Sequence, residues 1–129
     1  MKNQKVETLH LNLVKKWFDM IKEDIKPEEY RDITPYWVRR LFNWREYLNV
    51  AGLTDKEMVN FFVESLKVSD SLLRYLKPFD TITFSNGMRP PVPRYIKDFI
   101  SLELRGGKQE WGATEGKRYF VFNLGETIN

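Results

Sequence analysis

A chain of 129 residues, 42% hydrophobic and 30% charged, has the composition of a folded globular protein and the length of one domain. It has no cysteine and a single histidine, His10, which excludes disulfides, thiol catalysis and a Cys/His zinc site, so neither a metal nor a cofactor is expected. The net charge of +3 does not by itself mark a nucleic-acid binder.

The opening MKNQKVETLHLNL alternates polar and apolar residues and lacks the apolar run of a signal peptide. No stretch approaches the roughly 18 apolar residues of a membrane span. These features lead us to expect a cytoplasmic protein with no membrane partner. Within that opening, residues 6–12 alternate so that Leu9 and Leu11 share one face, which predicts a half-buried strand with His10 on the opposite face.

From Val14 the period changes. Val14, Trp17, Phe18, Ile21 and Ile25 follow the apolar spacing of an amphipathic helix, with Trp17 and Phe18 as core, and Pro27 ends the run. Residues 28–33 can form a short strand. Thr34-Pro35 is a helix start, and Trp37, Leu41, Trp44 and Leu48 mark one helical face through to Val50, with Gly52 where a C-terminal cap belongs. Thr54-Asp55-Lys56-Glu57 has capping-box spacing ahead of Met58, Phe61, Phe62 and Leu66. A shorter helix is predicted over 70–76.

Past Pro78 the pattern turns to strands: 80–85 alternates, Asn86-Gly87 signals a turn, residues 88–94 with three prolines read as a constrained loop, and 96–104 and 119–124 are β-rich. Between the last two lies Gly106-Gly107-Lys108-Gln109-Glu110-Trp111-Gly112, a glycine-punctuated loop around an aromatic. No repeat or linker divides the chain. The expected class is α+β: a small β-barrel with flanking helices and a helical insert at about 35–77, in one domain over 1–129. The insert is rich in Trp, Phe and Leu, so an apolar patch on it would take a protein partner or a second copy.

The densest group of functional side chains is Lys26, Glu28, Glu29, Tyr30 and Arg31. On an extended segment Glu29 and Arg31 share one face. Spacing alone is compatible with a surface ion pair worth about 0–1 kcal/mol, or with a pair that presents polar edges to a ligand. A second cationic group is Arg89, Arg94 and Lys97, in a stretch from Thr81 to Lys97 without an acid. It can be an ordinary solvated loop or a phosphate-contacting one.

The run Asp24-x-Lys26-x-x-Glu29-x-Arg31 resembles the G-x-K-x-x-E-x-R signature of the ASCH domain. The resemblance continues through LHLNLVKKWFDMI, EYRDITPYW, FDTITFSNG, EWGA and YFVFNLGETI, in that order. It implies a PUA-like fold with a cleft beside the signature, and an RNA- or nucleotide-binding function. Under that expectation Lys26 and Arg31 attract phosphate or bond a base, Glu29 orients Arg31 or accepts from an exocyclic amine, Tyr30, Trp37 or Trp111 stacks on a base, and Ser85 and Asn86 read polar edges.

Some ASCH proteins are hydrolases, which offers a second expectation: a nucleoside amidohydrolase acting on an acetylcytidine-type amide, or a ribonuclease, using Lys26 and Glu29. Two departures bear on it. Asp24 stands at the motif glycine, in a turn that an Asp tolerates better than most residues. Glu29 stands where the acetylcytidine hydrolases keep a threonine.

Overall fold

A computed structural model describes residues 7–128. The α+β class is observed: five strands, β1 (Glu7–Asn12), β2 (Glu28–Asp32), β3 (Phe79–Ser85), β4 (Arg94–Arg105) and β5 (Tyr119–Ile128), form one sheet in the order β1-β3-β4-β5-β2. The helices are α1 (Lys15–Lys22), α2 (Pro35–Leu41), α3 (Trp44–Tyr47) and α4 (Asp55–Val68), with 3₁₀ turns at Ser71–Tyr75 and Gln109–Trp111. Contacts divide the chain into two compact units. One holds the described residues up to Glu29, Pro78–Ser101 and Phe122 onward, and the other holds Tyr30–Lys77 and Leu102–Val121.

In the first unit β1 runs parallel to β3, pairing Leu9 with Ile82 and Leu11 with Phe84, and β3 turns back antiparallel onto β4. Leu9 and Leu11 are buried and His10 is exposed, as the alternation predicts. Val6, expected in this strand, lies outside the described residues. Helix α1 buries Phe18 and Ile21, but Val14 and Ile25 are 64% and 56% exposed. The predicted stripe is longer than the helix: Val14 is its N-cap residue, and Ile25 follows Asp24, whose φ of +61° breaks the helical phase.

In the second unit the expected single helix from Pro35 to Val50 is two. Phe42 takes extended geometry between α2 and α3 and makes an antiparallel bridge to Leu76. Asn43 N–H donates to the Tyr75 carbonyl at 2.8 Å, and Lys77 N–H donates to the Leu41 carbonyl at 2.8 Å. These bonds replace the helical ones the break gives up. The gain is burial of the Phe42 ring, 5.1 Å from Phe62 and 5.6 Å from Phe120. Gly52 caps no helix, since α3 ends at Tyr47; it occupies a turn at φ +92°.

The capping box at the head of α4 is present: Thr54 Oγ1 accepts from Glu57 N–H at 3.1 Å, and Glu57 Oε1 accepts from Thr54 N–H at 2.9 Å. Among the described residues no helix is long and apolar enough to cross a membrane.

Two predictions arise here. Hydrogen bonding from the Thr54 backbone, then from its side chain, holds the Glu57 carboxyl below its ordinary value of 4.5. A depressed folded value means the cap's contribution is fully present above the ordinary range and is lost as pH falls through the lowered value. The melting-temperature difference between the wild type and Glu57→Gln should therefore shrink on acidification below that range. At Gly107, an added Cβ would stand 2.5–2.8 Å from ring atoms of Tyr30. Gly107→Ala should cost about 1–3 kcal/mol by overpacking, and distinctly less in a Tyr30→Ala background, measured by denaturant unfolding of the double-mutant cycle.

Candidate functional site

Lys26 follows the tight exit of α1. Ile25 N–H and Lys26 N–H both donate to the Met20 carbonyl, at 2.9 and 3.1 Å, and Asp24 N–H donates to Ile21 at 3.1 Å. This holds Lys26 inward, and the residue is 1% exposed. Its Nζ donates to Glu29 Oε1 at 2.7 Å and to the Glu28 carbonyl at 2.5 Å, and it lies 5.6 Å from the centroid of the half-buried Trp17 ring. Glu29 is 6% exposed. Lys26 and Glu29, both named as candidate site residues, stand together as a buried ion pair, whereas the surface pair that spacing allowed was Glu29 with Arg31. Both named partners of Nζ are acceptors, so Nζ serves here as a donor.

A second buried ammonium lies in the same unit. Lys97, expected with Arg89 and Arg94 as a phosphate-contacting cation, is 1% exposed in β4, and Asp24 forms an ion pair with it. The pleat explains the difference: Lys97 shares the inward face of β4 with the buried Tyr95. Tyr95 packs 4.6 Å from Phe18 and donates its hydroxyl to the Phe18 carbonyl at 2.6 Å. Burial, reinforced by the charges of Glu29 and Asp19, pushes the Tyr95 phenol well above its usual range. Asp24, the departure from the signature glycine, thus both takes the left-handed turn and supplies a carboxylate to Lys97.

Ser85 and Asn86 act in the architecture of this unit. The Ser85 carbonyl accepts from Leu13 N–H at 2.8 Å, and Asn86 Nδ2 donates to the Leu13 carbonyl at 2.9 Å. Arg89 and Arg94 are exposed at the two ends of the proline loop.

In the second unit Tyr30 presses its ring on Gly107, lies 5.6 Å from Tyr119 and accepts from Lys108 N–H at 3.0 Å. Trp111 is half-buried in its 3₁₀ turn with Lys108 Nζ 4.6 Å from its centroid. Arg31 stacks 5.0 Å from Trp37, which Arg40 also approaches at 5.0 Å. Asp32 pairs with Lys117 at 2.9 Å, which raises the lysine above its usual value. Helix α4 turns Phe61 and Val68 outward, 60% and 85% exposed, so part of the apolar surface expected on the insert is uncovered. Among the described residues no cluster of His, Cys, Asp or Glu could hold a metal.

Sequence reasoning took Trp17 as core and, beyond Asp32, weighed Trp37 as a stacking residue but passed over the arginines around it. The second had a visible signal: residues 33–45 contain no acid and carry Arg39, Arg40 and Arg45 among Tyr36, Trp37 and Trp44. The site and sheet thus define a small α+β protein with a buried Lys–Glu pair. Compared with family models, curated proteins and solved structures, the chain gives no match.

The Lys97–Asp24 pair is asymmetric, with side chains 2% and 73% exposed. Removing the carboxylate strands a buried ammonium, whereas removing the ammonium leaves a carboxylate that water can solvate. Asp24→Asn should cost about 1–3 kcal/mol and Lys97→Met distinctly less, measured by urea unfolding. Equal costs would mean that the buried charge is not the controlling term.

Proposed function

We propose that this protein binds a nucleoside or nucleotide unit, free or within RNA, through the Lys26–Glu29 pair, in keeping with the ASCH resemblance of its 24–31 segment and the PUA-like barrel which that resemblance implies. One observation carries the reading: at the K-x-x-E spacing of the signature, a lysine and a glutamate are held together at 2.7 Å, 1% and 6% exposed. A buried ionic pair is costly to desolvate and often contributes less than apolar side chains of the same volume, so its presence is better explained by recognition than by stability. The chemistry suits a base. A carboxylate has about four acceptor sites, and one oriented by an ammonium accepts N–H from an exocyclic amine or an imide. The half-buried Trp17 indole lies beside it, with Lys16 Nζ 4.6 Å and Lys26 Nζ 5.6 Å from its centroid.

Binding is favoured over hydrolysis because Nζ lies 2.7 Å from the Glu29 carboxylate, and an adjacent carboxylate favours the charged form of a lysine. A lysine nucleophile needs the neutral amine.

Titration calorimetry with the four ribonucleoside monophosphates and with short single-stranded RNA tests the proposal. Glu29→Gln should weaken the preferred base by about 1.5–3 kcal/mol, roughly 10- to 150-fold. The double variant Lys26→Met/Glu29→Leu, which removes both charges together, should keep its melting temperature within a few degrees and lose binding. Absence of binding by the wild type, or unchanged affinity in both variants, would refute the reading. Turnover of acetylcytidine that disappears in Lys26→Ala would replace it with a hydrolase.

A further inference from the structure

Helix α2 buries Val38 and Leu41, so Tyr36, Arg39 and Arg40, at i, i+3 and i+4, lie along its other side. Tyr36 is 60% exposed and meets Trp37 edge-on at 5.0 Å. The Arg40 guanidinium lies 6.0 Å from the Tyr36 centroid and 5.0 Å from that of Trp37. Beyond the break at Phe42 the pattern repeats on Trp44, with Arg39 at 6.0 Å and Arg45 at 4.5 Å. Lys77 extends the row, donating from Nζ to the Arg39 carbonyl at 3.1 Å. A cavity of about 310 Å³, lined by Phe42, Asn43, Trp44, Arg45, Glu46 and Lys77, lies along it. Arg45 also pairs with Asp55.

We propose that this arginine–aromatic face of α2 and α3 is a contact surface for single-stranded RNA, built from residues other than Lys26 and Glu29 and independent of that site. Guanidinium groups resting on ring faces are already ordered, so they lose less freedom when they engage phosphate, and their planar fork matches its oxygens. The exposed Tyr36 ring offers a stacking surface that an unpaired base can use and a paired one cannot. The cavity beside Trp44 falls at the small end of ligand-pocket volumes, and the Asn43 amide within it can read a polar edge. A lipid surface fits less well: between residues 36 and 45 the only exposed large apolar side chain is Tyr36, with no aliphatic residue to enter the acyl region.

The test is fluorescence anisotropy with a labelled oligouridylate on the order of ten nucleotides long, a duplex RNA of equal length, and vesicles with and without phosphatidylserine. Tyr36→Ala should weaken the oligouridylate about tenfold. Arg39→Gln/Arg40→Gln should weaken it further and reduce the salt slope by roughly one to two. Because Arg40 also packs on Trp37, Arg39→Gln alone is included as the variant least able to disturb the fold, and melting temperatures accompany all three. Duplex RNA should bind more weakly and be insensitive to Tyr36→Ala. The proposal is overturned by absence of oligouridylate binding, by affinity and slope unchanged in all three variants, by equal handling of duplex, or by face-dependent binding to the anionic vesicles alone. Lys26→Met/Glu29→Leu separates the two sites: loss of mononucleotide binding with oligouridylate affinity kept supports this face, whereas oligouridylate binding lost there and intact in the face variants sinks it and leaves the Lys26–Glu29 reading standing.

Discussion

An ammonium removed from water must be given acceptors, and much of the first unit answers to that requirement twice. Lys26 and Lys97 are each 1% exposed, and each has a carboxylate partner. Their cost is desolvation, which is offset only where the geometry is fixed. The exit of α1 fixes it: two successive N–H groups converge on the Met20 carbonyl, Asp24 turns left-handed, and the chain then delivers Lys26 to Glu29. A glycine at position 24 could make the same turn with less strain but would bring no charge. The left-handed turn at position 24 and the burial of Lys97 are therefore linked, because the residue that makes the turn is the counter-ion of the buried lysine.

How much of this was legible depends on how local the cause is. The strand at Leu9 and Leu11 and the capping box at Thr54 and Glu57 rest on residues close together in the chain, and each is present where the pattern put it. The break at Phe42 is different. The apolar spacing from Trp37 through Leu48 suits one long helix, and only the bridge to Leu76 and the rings of Phe62 and Phe120 make an extended residue favourable there. Ile25 fails for a related reason, since periodicity continued past a turn that Asp24 had already made. Charge counting grouped Lys97 with exposed arginines, whereas strand alternation, which sets it two residues from the buried Tyr95, held the information on its burial. Spacing put Glu29 on one strand face with Arg31, and the buried pair of Glu29 with Lys26 was not legible from it: a lysine and a glutamate three apart are usually solvated.

The break at Phe42 also arranges the outer surface of the second unit. A continuous helix would carry Trp44 on the stripe of Trp37 and Leu41. Ending α2 at Leu41 and restarting at Trp44 instead sets the Trp44 ring, itself only 8% exposed, beneath Arg39 and Arg45. Tertiary packing of one phenylalanine thereby sets the spacing of the arginines.

The two cationic residue types are divided by place, and their chemistry gives the reason. Lysine's compact ammonium can be enclosed by a few acceptors, as Glu29 and the Glu28 carbonyl enclose Lys26. Arginine's flat guanidinium is weakly hydrated and rests on rings, as Arg31 and Arg40 do on Trp37. The net charge of +3 hides this division. Lys26 and Lys97 are neutralised where they lie, and so add little to the field outside the protein. The charge that an approaching anion meets comes from cations at the surface, among them those of the acid-free run that ends at Arg45. Sequence charge is informative about partners only after the buried pairs have been subtracted, and here the subtraction removes Lys26 and Lys97 and leaves the arginines of α2 and α3 among the surface cations.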